Sequence, residues 1–479
     1  IWNGCIRHQG ITWDVSSRGT GVTRLAPGSV AAKTFLRTGN TRFGYGCGLA
    51  DLDELYGAML MSEIFHHQGH ETERVLAIID VGGGAGIGVR AAPNLFRPAH
   101  LFSFLRQKNR KALRRAFDFM IDRQYQNGEW NFSTDDRDRY AKAAREVALS
   151  FARQTARWDV DHIFVWLAWD GDNVLMNGGI IDYGSVRQFG LRHDEYRYDD
   201  VERLSTSLGE QRKMAKQIVL SFLQIENYLR TGSYRPASSF RGHEIAGLFE
   251  ETFEAERLER FLYRIGLSRK YRKWALREQK PRVESLYAAF NRFERAKTRR
   301  KRVRLPDGFN KPAVFNMRRF LYHLPQALLK RKLKPLSARQ LYKLMHSFTA
   351  SSRDLAWRPR YAPRLLAFQK DFLEFFQTLP GGLKPHLLAA AKRSKVINRQ
   401  DRITGNAVDL SVREVLSWRE KGIPDEQIQK ILEGFVQDQI LVPPDDRDEP
   451  SPLKVLKLSD HNRLLNSLMT IVYDYSEDV

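Results

Sequence analysis

A chain of 479 residues with 42% hydrophobic composition is too long for one typical domain and apolar enough to bury a sizeable core. Its two cysteines, Cys5 and Cys47, exclude a disulfide framework and a Cys-rich metal site and make a reducing compartment the default expectation. A formal charge of +22 draws polyanions as a class (nucleotides, nucleic acid, anionic membranes, acidic proteins) without choosing among them. No apolar run approaches the roughly 20 residues of a membrane helix; the longest is Ile163–Trp169. The first residues carry no signal-peptide pattern, and the initial isoleucine leaves the true start, with any targeting segment, open.

Residues 1–48 read as Gly-rich and β-like. Ile11–Ser17 is expected as a strand entering the turn Arg18-Gly-Thr-Gly21, Ser29–Leu36 as a second strand, and Gly44–Gly48 as a loop. A helix is expected over Leu49–Gly69, with Leu52, Leu55, Met59 and Ser62 on one face and Gly69 as its stop. Val75–Asp80 and Ile87–Ala92 read as strands on either side of Val81–Gly86, and Pro93 breaks the second. Helices fit Ala99–Gln107, Arg110–Gln126 and Asp135–Trp158, the last opening on the capping run Ser133-Thr-Asp-Asp.

The stretch Trp169–Gly184, WDGDNVLMNGGIIDYG, reads as a hairpin. Asn173–Met176 is strand-like, Asn177-Gly178-Gly179 is a turn signal, and Ile180-Ile181 restarts a strand. Beyond Tyr198 helices fit 199–229, 239–265, 268–299, 312–332, 337–350, 362–379, 410–420, 425–437 and 457–471, with linkers at Pro306-Asp-Gly and Pro443–Pro450. No repeat period stands out. The expected class is α+β. A small β-rich region with one long helix precedes a helical region with an acidic hairpin, the order of a two-lobed, protein-kinase-like fold. The expected divisions are 1–86, a partial N-lobe truncated at its start; 87–235, a helical C-lobe carrying the hairpin; 236–440, a large helical extension; and 441–479, a linker and terminal helix.

Folding the hairpin returns Asp182 towards Asn173. An amide oxygen and a carboxylate are ligands that Mg²⁺ accepts beside waters and substrate phosphates. The bare residues also suit a surface hairpin with polar turn caps. Arg90 and Arg97 fit a bidentate grip on phosphate, or two solvated arginines. Arg18–Gly21 and Gly82–Gly86 could admit a phosphate to backbone N–H groups, or serve only as turns. Ser29-Val-Ala-Ala-Lys33 echoes the kinase V-A-I-K strand, with Glu54 on the following helix as a possible partner of Lys33, against an edge strand and an exposed acid. His66-His67-Gln-Gly-His70 lacks the spacing of a metal site. The run Arg295–Arg304, behind Tyr287, Phe290 and Phe293, admits RNA or DNA binding centred on Arg299–Arg302, or a solvated helix end.

In order, four motifs resemble the selenoprotein O and YdiU family. Val15-Ser-Ser-Arg18-Gly-Thr-Gly21-Val-Thr is similar to its strand ending L-K-G-A-G-x-T. Cys47-Gly48-Leu-Ala and Ser62-Glu63-Ile-Phe65 are similar to its D-G-R-A and S-E-A-M. Arg90 and Arg97 match its arginine pair seven residues apart. Trp169–Gly184 matches its M-N-T-D-N-M-S and T-I-D-Y-G, and Tyr196-Arg-Tyr198 with Arg212-Lys-Met-Ala follows its R-Y and R-L-A segment. The resemblance runs from about residue 11 to 225.

It implies a kinase-like fold and a protein adenylyltransferase that binds ATP flipped and moves AMP to protein Ser, Thr or Tyr hydroxyls with Mg²⁺ or Mn²⁺. In it Asp172 would be the base, Asn173 and Asp182 the metal ligands, and Arg18, Gly48, Arg90, Arg97 and Asp182 the nucleotide contacts. It implies a cytoplasmic location in a bacterial source and a mitochondrial one in a eukaryote. Departures from the family pattern are Arg18 for its Lys, Ala58 for its helix Glu with Glu54 one turn earlier, and Cys47 for an Asp. About 25 residues between Gly21 and Gly48 exceed its linker, its glycine-rich loop would fall before Ile1, and no cysteine pair matches its C-terminal disulfide. The alternatives are an inactive nucleotide-binding pseudokinase scaffold and a basic nucleic-acid-binding helical protein.

Overall fold

The computed structural model describes residues 1–22, 26–38, 40, 42–168, 170–196, 206–298, 312–347, 350–447 and 463–475. Strands β1 (Trp2–His8), β2 (Ile11–Arg18), β3 (Arg74–Gly82) and β4 (Ala85–Ala92) form one antiparallel sheet in the order β1-β2-β4-β3. Helix α1 (Pro27–Ala32) and helix α2 (Leu52–His67) lie between β2 and β3 in sequence. The region expected as a second strand from Ser29 is therefore helical at its start: Pro27 suits a first helical position and Ala31-Ala32 favour helix. Lys33 caps α1 in a left-handed conformation.

Gly86 and Gly88 decide how α2 sits on the sheet. A β-carbon at Gly88 would lie 2.5 Å from Leu55 Cδ2, and one at Gly86 2.9 Å from Leu52 Cδ1 and Leu55 Cδ1. The bare strand lets α2 approach closely. Helices from the far end of the chain, α14 (Asn406–Glu420) and α15 (Asp425–Gln439), pack on α2 as well. Leu52, Leu55, Leu60, Met61, Ile64 and Phe65 are consequently all buried, on more than the single face expected.

Helices α3 (Pro98–Arg106), α4 (Arg110–Gln126), α5 (Arg139–Asp161), α6 (Leu208–Thr231) and α7 (Glu244–Arg264) build the first core with α2, α14, α15 and α16 (Arg463–Asp474). Ser133–Asp136 forms turns ahead of α5 rather than its cap; the cap residue is Asp138. A second core joins the end of α7 to α8 (Arg269–Glu278), α9 (Lys280–Glu294), α10 (Met317–Lys330), α11 (Ala338–Leu344), α12 (Tyr361–Thr378) and α13 (Leu383–Ile397). The single helix expected over 268–299 is two, because Pro281 supplies no N–H and fits the first turn of a new helix. No helix was expected between 379 and 410, yet α13 forms there; its Pro385 sits in the first turn, where a missing N–H costs nothing. In the Pro443–Pro450 stretch, Pro444–Asp446 is a 3₁₀ turn tied into the protein, since Asp446 takes Arg272 at 2.7 Å and also pairs with Arg393. Residues 448–450, Pro306-Asp-Gly and Arg299–Arg304 lie outside the described residues.

Buried arginine–carboxylate pairs and two histidine–carboxylate contacts join the two cores at the end of α5. Asp161 is 2.7 Å from Arg260 and 3.7 Å from His70, with Arg318 at 4.0 Å. His162 lies 3.3 Å from Glu294, which pairs with Arg264 at 2.8 Å. Arg192 reaches Asp159 at 2.9 Å. Replacing Asp161 by Asn leaves Arg260 and Arg318 buried without their carboxylate, so urea unfolding should show a loss of about 3–5 kcal/mol.

Burial pushes His70 and His162 each down to about 3, against the opposing pull of Asp161 and Glu294. Both rings fold neutral, whereas the unfolded chain protonates them near pH 6.5. The unfolded state therefore binds more protons below that pH, and stability falls as pH drops from 6.5 towards 3. The slope approaches about 1.4 kcal/mol per pH unit per histidine. Unfolding measured at pH 7, 6 and 5 should show this slope, and the H70Q/H162Q double variant should flatten it.

Candidate functional site

The site gathers where the sheet, α2, the start of α3 and the segment 170–187 meet. Arg18 ends β2, with Gly88 of β4 opposite it. Its guanidinium pairs with Glu54 on the close-packed face of α2. The resemblance aligns the family's helix acid with Ala58; in the structure Glu54, one turn earlier, is the acid that pairs with Arg18. Glu54 pairs with Arg18 and not with Lys33, and it is neither isolated nor fully exposed. Burial alone would lower Arg18; Glu54 outweighs it and raises its pKa, and Glu73 and Asp182 lie within electrostatic reach.

Gly48 closes the turn below Arg18. It adopts φ +79°, and a β-carbon there would lie 2.1 Å from the Gly21 carbonyl, so only glycine fits. Gly21 N–H donates to Gly48 O at 3.2 Å. Gly82–Gly84, by contrast, form an exposed hairpin tip, and Gly84 O accepts from Leu52 N–H at 2.8 Å.

Arg90 stands opposite Ser16 and donates to its Oγ at 3.0 Å. Its other partner is Glu73 at 2.9 Å, a residue only 1% exposed. Burial pushes the Glu73 carboxyl up and Arg90 draws it back. Arg97 caps the start of α3 and donates to both Asp172 O, at 2.9 Å, and Asp172 Oδ1, at 3.1 Å. Arg18 and Arg97 each lie within electrostatic reach of Arg90, and all three lie within reach of Glu73.

The acidic stretch folds back with less strand than expected. One antiparallel bridge, Val174 to Ile180, closes it, and Leu175 N–H donates to Gly179 O at 2.8 Å. It is held from outside by the strap Glu71–Glu73. Ile180 N–H donates to Glu71 O at 3.0 Å, Glu73 N–H to Ile180 O at 3.3 Å, and Asn177 Nδ2 to Glu71 Oε2 at 2.9 Å. Tyr183 is buried with its hydroxyl against Thr72, and burial raises it well above the usual phenol range. Gly171, at φ +67°, seats the stretch on Pro98. Asn173 and Asp182 are half-buried, and Asp172 is 60% exposed.

A cavity of about 180 Å³ opens beside the Arg18–Glu54 pair. Tyr183, Gly184 and Arg187 form one wall, and Val408 and Asp409 of α14 form another. Burial raises the Asp409 carboxyl, with Arg187 opposing. Sequence reasoning missed Glu73, Asp409 and Arg187. Glu73 sits in a polar run with no pattern to mark it, and Asp409 lies about 230 residues beyond the hairpin. The described residues hold no group of three or more His, Cys, Asp or Glu side chains fit to enclose a metal, His66, His67 and His70 included. Asn173 and Asp182 contribute an amide and a carboxylate, oxygen donors of the type Mg²⁺ accepts. No described helix is long and apolar enough to cross a membrane.

No family model matches the chain. Two curated proteins are similar to it. The protein nucleotidyltransferase YdiU of Methylobacillus flagellatus is 24% identical over 197 residues, 37% of this chain and 33% of that protein. The protein nucleotidyltransferase YdiU of Corynebacterium efficiens is 31% identical over 174 residues, 34% of each. The chain thus spans about a third of the length of the curated relatives it matches. Over that part, motif order and sequence identity agree that the chain is related, at family level, to the selenoprotein O and YdiU proteins.

Proposed function

We propose that the chain is a protein adenylyltransferase of kinase-like architecture. It transfers AMP from ATP to Ser, Thr or Tyr hydroxyls of proteins and depends on Mg²⁺ or Mn²⁺. The observation that carries this reading is the convergence of Arg18, Arg90 and Arg97 around Glu73, with Asp182 in reach of Arg18. Three guanidiniums are more than a hairpin cap needs, and they match the charge of a polyphosphate. The name of the two relatives supports a nucleotidyl transfer.

In this reading the acceptor hydroxyl oxygen attacks the α-phosphorus, and Asp172 takes its proton. The bond to the β-phosphate breaks, and pyrophosphate leaves against Arg90 and Arg97. Arg97 orients Asp172 through its two hydrogen bonds. Arg18, fixed by Glu54, faces the phosphates, and Gly48 keeps the turn beneath it open. Asn173 and Asp182 would hold the divalent ion, which when bound neutralises phosphate charge. One observation favours a second reading, a nucleotide-binding scaffold without turnover: Arg90 and Arg97 both already have carboxylate partners.

Incubation with α-labelled ATP and Mg²⁺ or Mn²⁺ should label the chain itself or a generic protein acceptor. Asp172→Ala should slow labelling by about 10²–10⁴-fold, the usual share of a general base, and Asp182→Ala should abolish it. Thermal stabilisation by ATP without label selects the scaffold. Neither stabilisation nor label removes both readings.

Arg18→Ala should raise the ATP KM by roughly 10–100-fold, the weight of a hydrogen bond to a charged group. Arg18→Lys should restore part of it. An unchanged KM in Arg18→Ala would take Arg18 out of the site.

A further inference from the structure

The positive charge is confined to one part of the molecule. Residues 266–399 carry 34 Lys and Arg against 7 Asp and Glu, while the rest of the chain carries 44 against 49. The whole excess belongs to this stretch of the sequence. Among its described residues, 21 basic side chains are exposed and only 3 acidic ones. Those three, Glu278, Glu284 and Glu374, already pair with Arg277, Lys280 and Lys370. The other exposed cations there face outward in large excess.

Within this field one stretch combines cations with aromatic rings. The end of α10 and the turn after it present Lys330, Arg331, Lys332 and Lys334, all exposed. It is pinned to α12, where the Gln369 side chain bonds both Leu336 N–H, at 2.8 Å, and Leu336 O, at 3.1 Å. Helix α11 then exposes Arg339 and Lys343 one turn apart, and the start of α12 exposes Arg360 and Arg364. The Arg339 guanidinium lies 5.3 Å from the Trp357 ring, and that of Arg360 lies 5.8 Å from Tyr361. Trp357 and Tyr361 remain half-buried, both resting on Tyr342 at 5.1 and 5.4 Å.

Helix stability does not account for this. Cations are favourable at a helix C-terminus, which covers Lys330, but Arg360 and Arg364 stand at an N-terminus, where the helix dipole opposes them. A membrane surface is a poor match. Among the described residues of this unit the exposed large apolar side chains are Leu366 and Leu388, on different helices, so no apolar face is offered for insertion. Cations beside half-exposed rings are the chemistry of single-stranded nucleic acid, with phosphates on the charges and unpaired bases on the rings.

We infer that the described residues of 330–347 and 350–364 form a binding surface for single-stranded nucleic acid, separate from the cleft at Arg18. The test uses the full chain and a labelled single-stranded RNA or DNA of about 20 nucleotides, followed by fluorescence anisotropy across a salt series. Affinity should fall linearly on a log–log plot against salt. Replacing Arg339, Lys343, Arg360 and Arg364 by Gln should lower the slope by about 3, or 0.7 per lost phosphate contact. Trp357→Leu should weaken binding roughly tenfold through lost stacking, and Trp357→Phe should restore it. Should the fourfold variant melt early, the Arg360→Gln/Arg364→Gln pair reads the same slope, lowered by about 1.4. The proposal is overturned if these variants bind like the parent. It is equally overturned if Lys384→Gln/Lys392→Gln/Lys395→Gln on α13 weakens binding as much per charge. Tighter binding to phosphatidylserine vesicles or polyglutamate, indifferent to Trp357→Leu, would assign the surface to another acidic partner and also overturns it.

Discussion

The last turn of α5 sets the terms on which the molecule closes. Asp159, Asp161 and His162 are all buried there, and a buried carboxylate persists only if a cation comes to it. Three different elements supply that cation: Arg192 after the hairpin segment, Arg260 on α7, and Arg318 on α10. Each pair is individually a weak source of stability, because desolvation offsets the attraction. Together they act as a register: an alternative seating of the second core would leave one of these charges unanswered. Arg393 and Arg272 repeat the device on Asp446, fastening the chain after α15 to the second core.

The candidate site depends on a different contact, the bare face of β4. Gly86 and Gly88 let α2 lie close enough for Glu54 to reach Arg18. The same helix is covered on its other side by α14, so the cavity beside Arg18 has one wall from the N-terminal half and one from residues 405–412. Gly57 of α2 lies on that seam, where a β-carbon would sit in ordinary contact, 3.5 Å from Val408 Cγ1. Whatever enters the cleft therefore meets both ends of the chain. The C-terminal helices are part of its architecture.

Much of this was legible where local pattern and tertiary contact agree. Short apolar runs on either side of the Gly-rich tip marked β3 and β4, and Arg110–Gln126 matched α4 at both ends because its apolar period, its Asn109 cap and its closing turn coincide. The α+β class followed from element order. What failed did so for physical reasons. Ser29–Lys33 has a β-branched residue but sits behind a proline that favours a helical start. The hairpin kept its turn but lost its ladder, because Ile180 bonds to Glu71 and Glu73 across the molecule instead of extending the pair. Of the site, the arginines and acids were visible as residues, although Glu54 was read as a partner of Lys33 rather than of Arg18. Glu73 and Asp409 were not, since burial and long-range packing, not spacing, bring them to Arg90 and to the cleft.

The arginines of the cleft and the cations of the second core are held in opposite ways, and the contrast bears on what each can select. Arg18, Arg90 and Arg97 are largely buried, each fixed by a named carboxylate. Such groups favour one geometry, because a ligand must replace or share a hydrogen bond already made. Arg339, Lys343, Arg360 and Arg364 are exposed. They hold charge density rather than shape, so their attraction falls with salt and tolerates many sequences. The first arrangement suits a small, polydentate anion, and the second suits a long, flexible one. A formal charge of +22 taken over the whole chain conceals that division, because outside residues 266–399 the acids outnumber the bases.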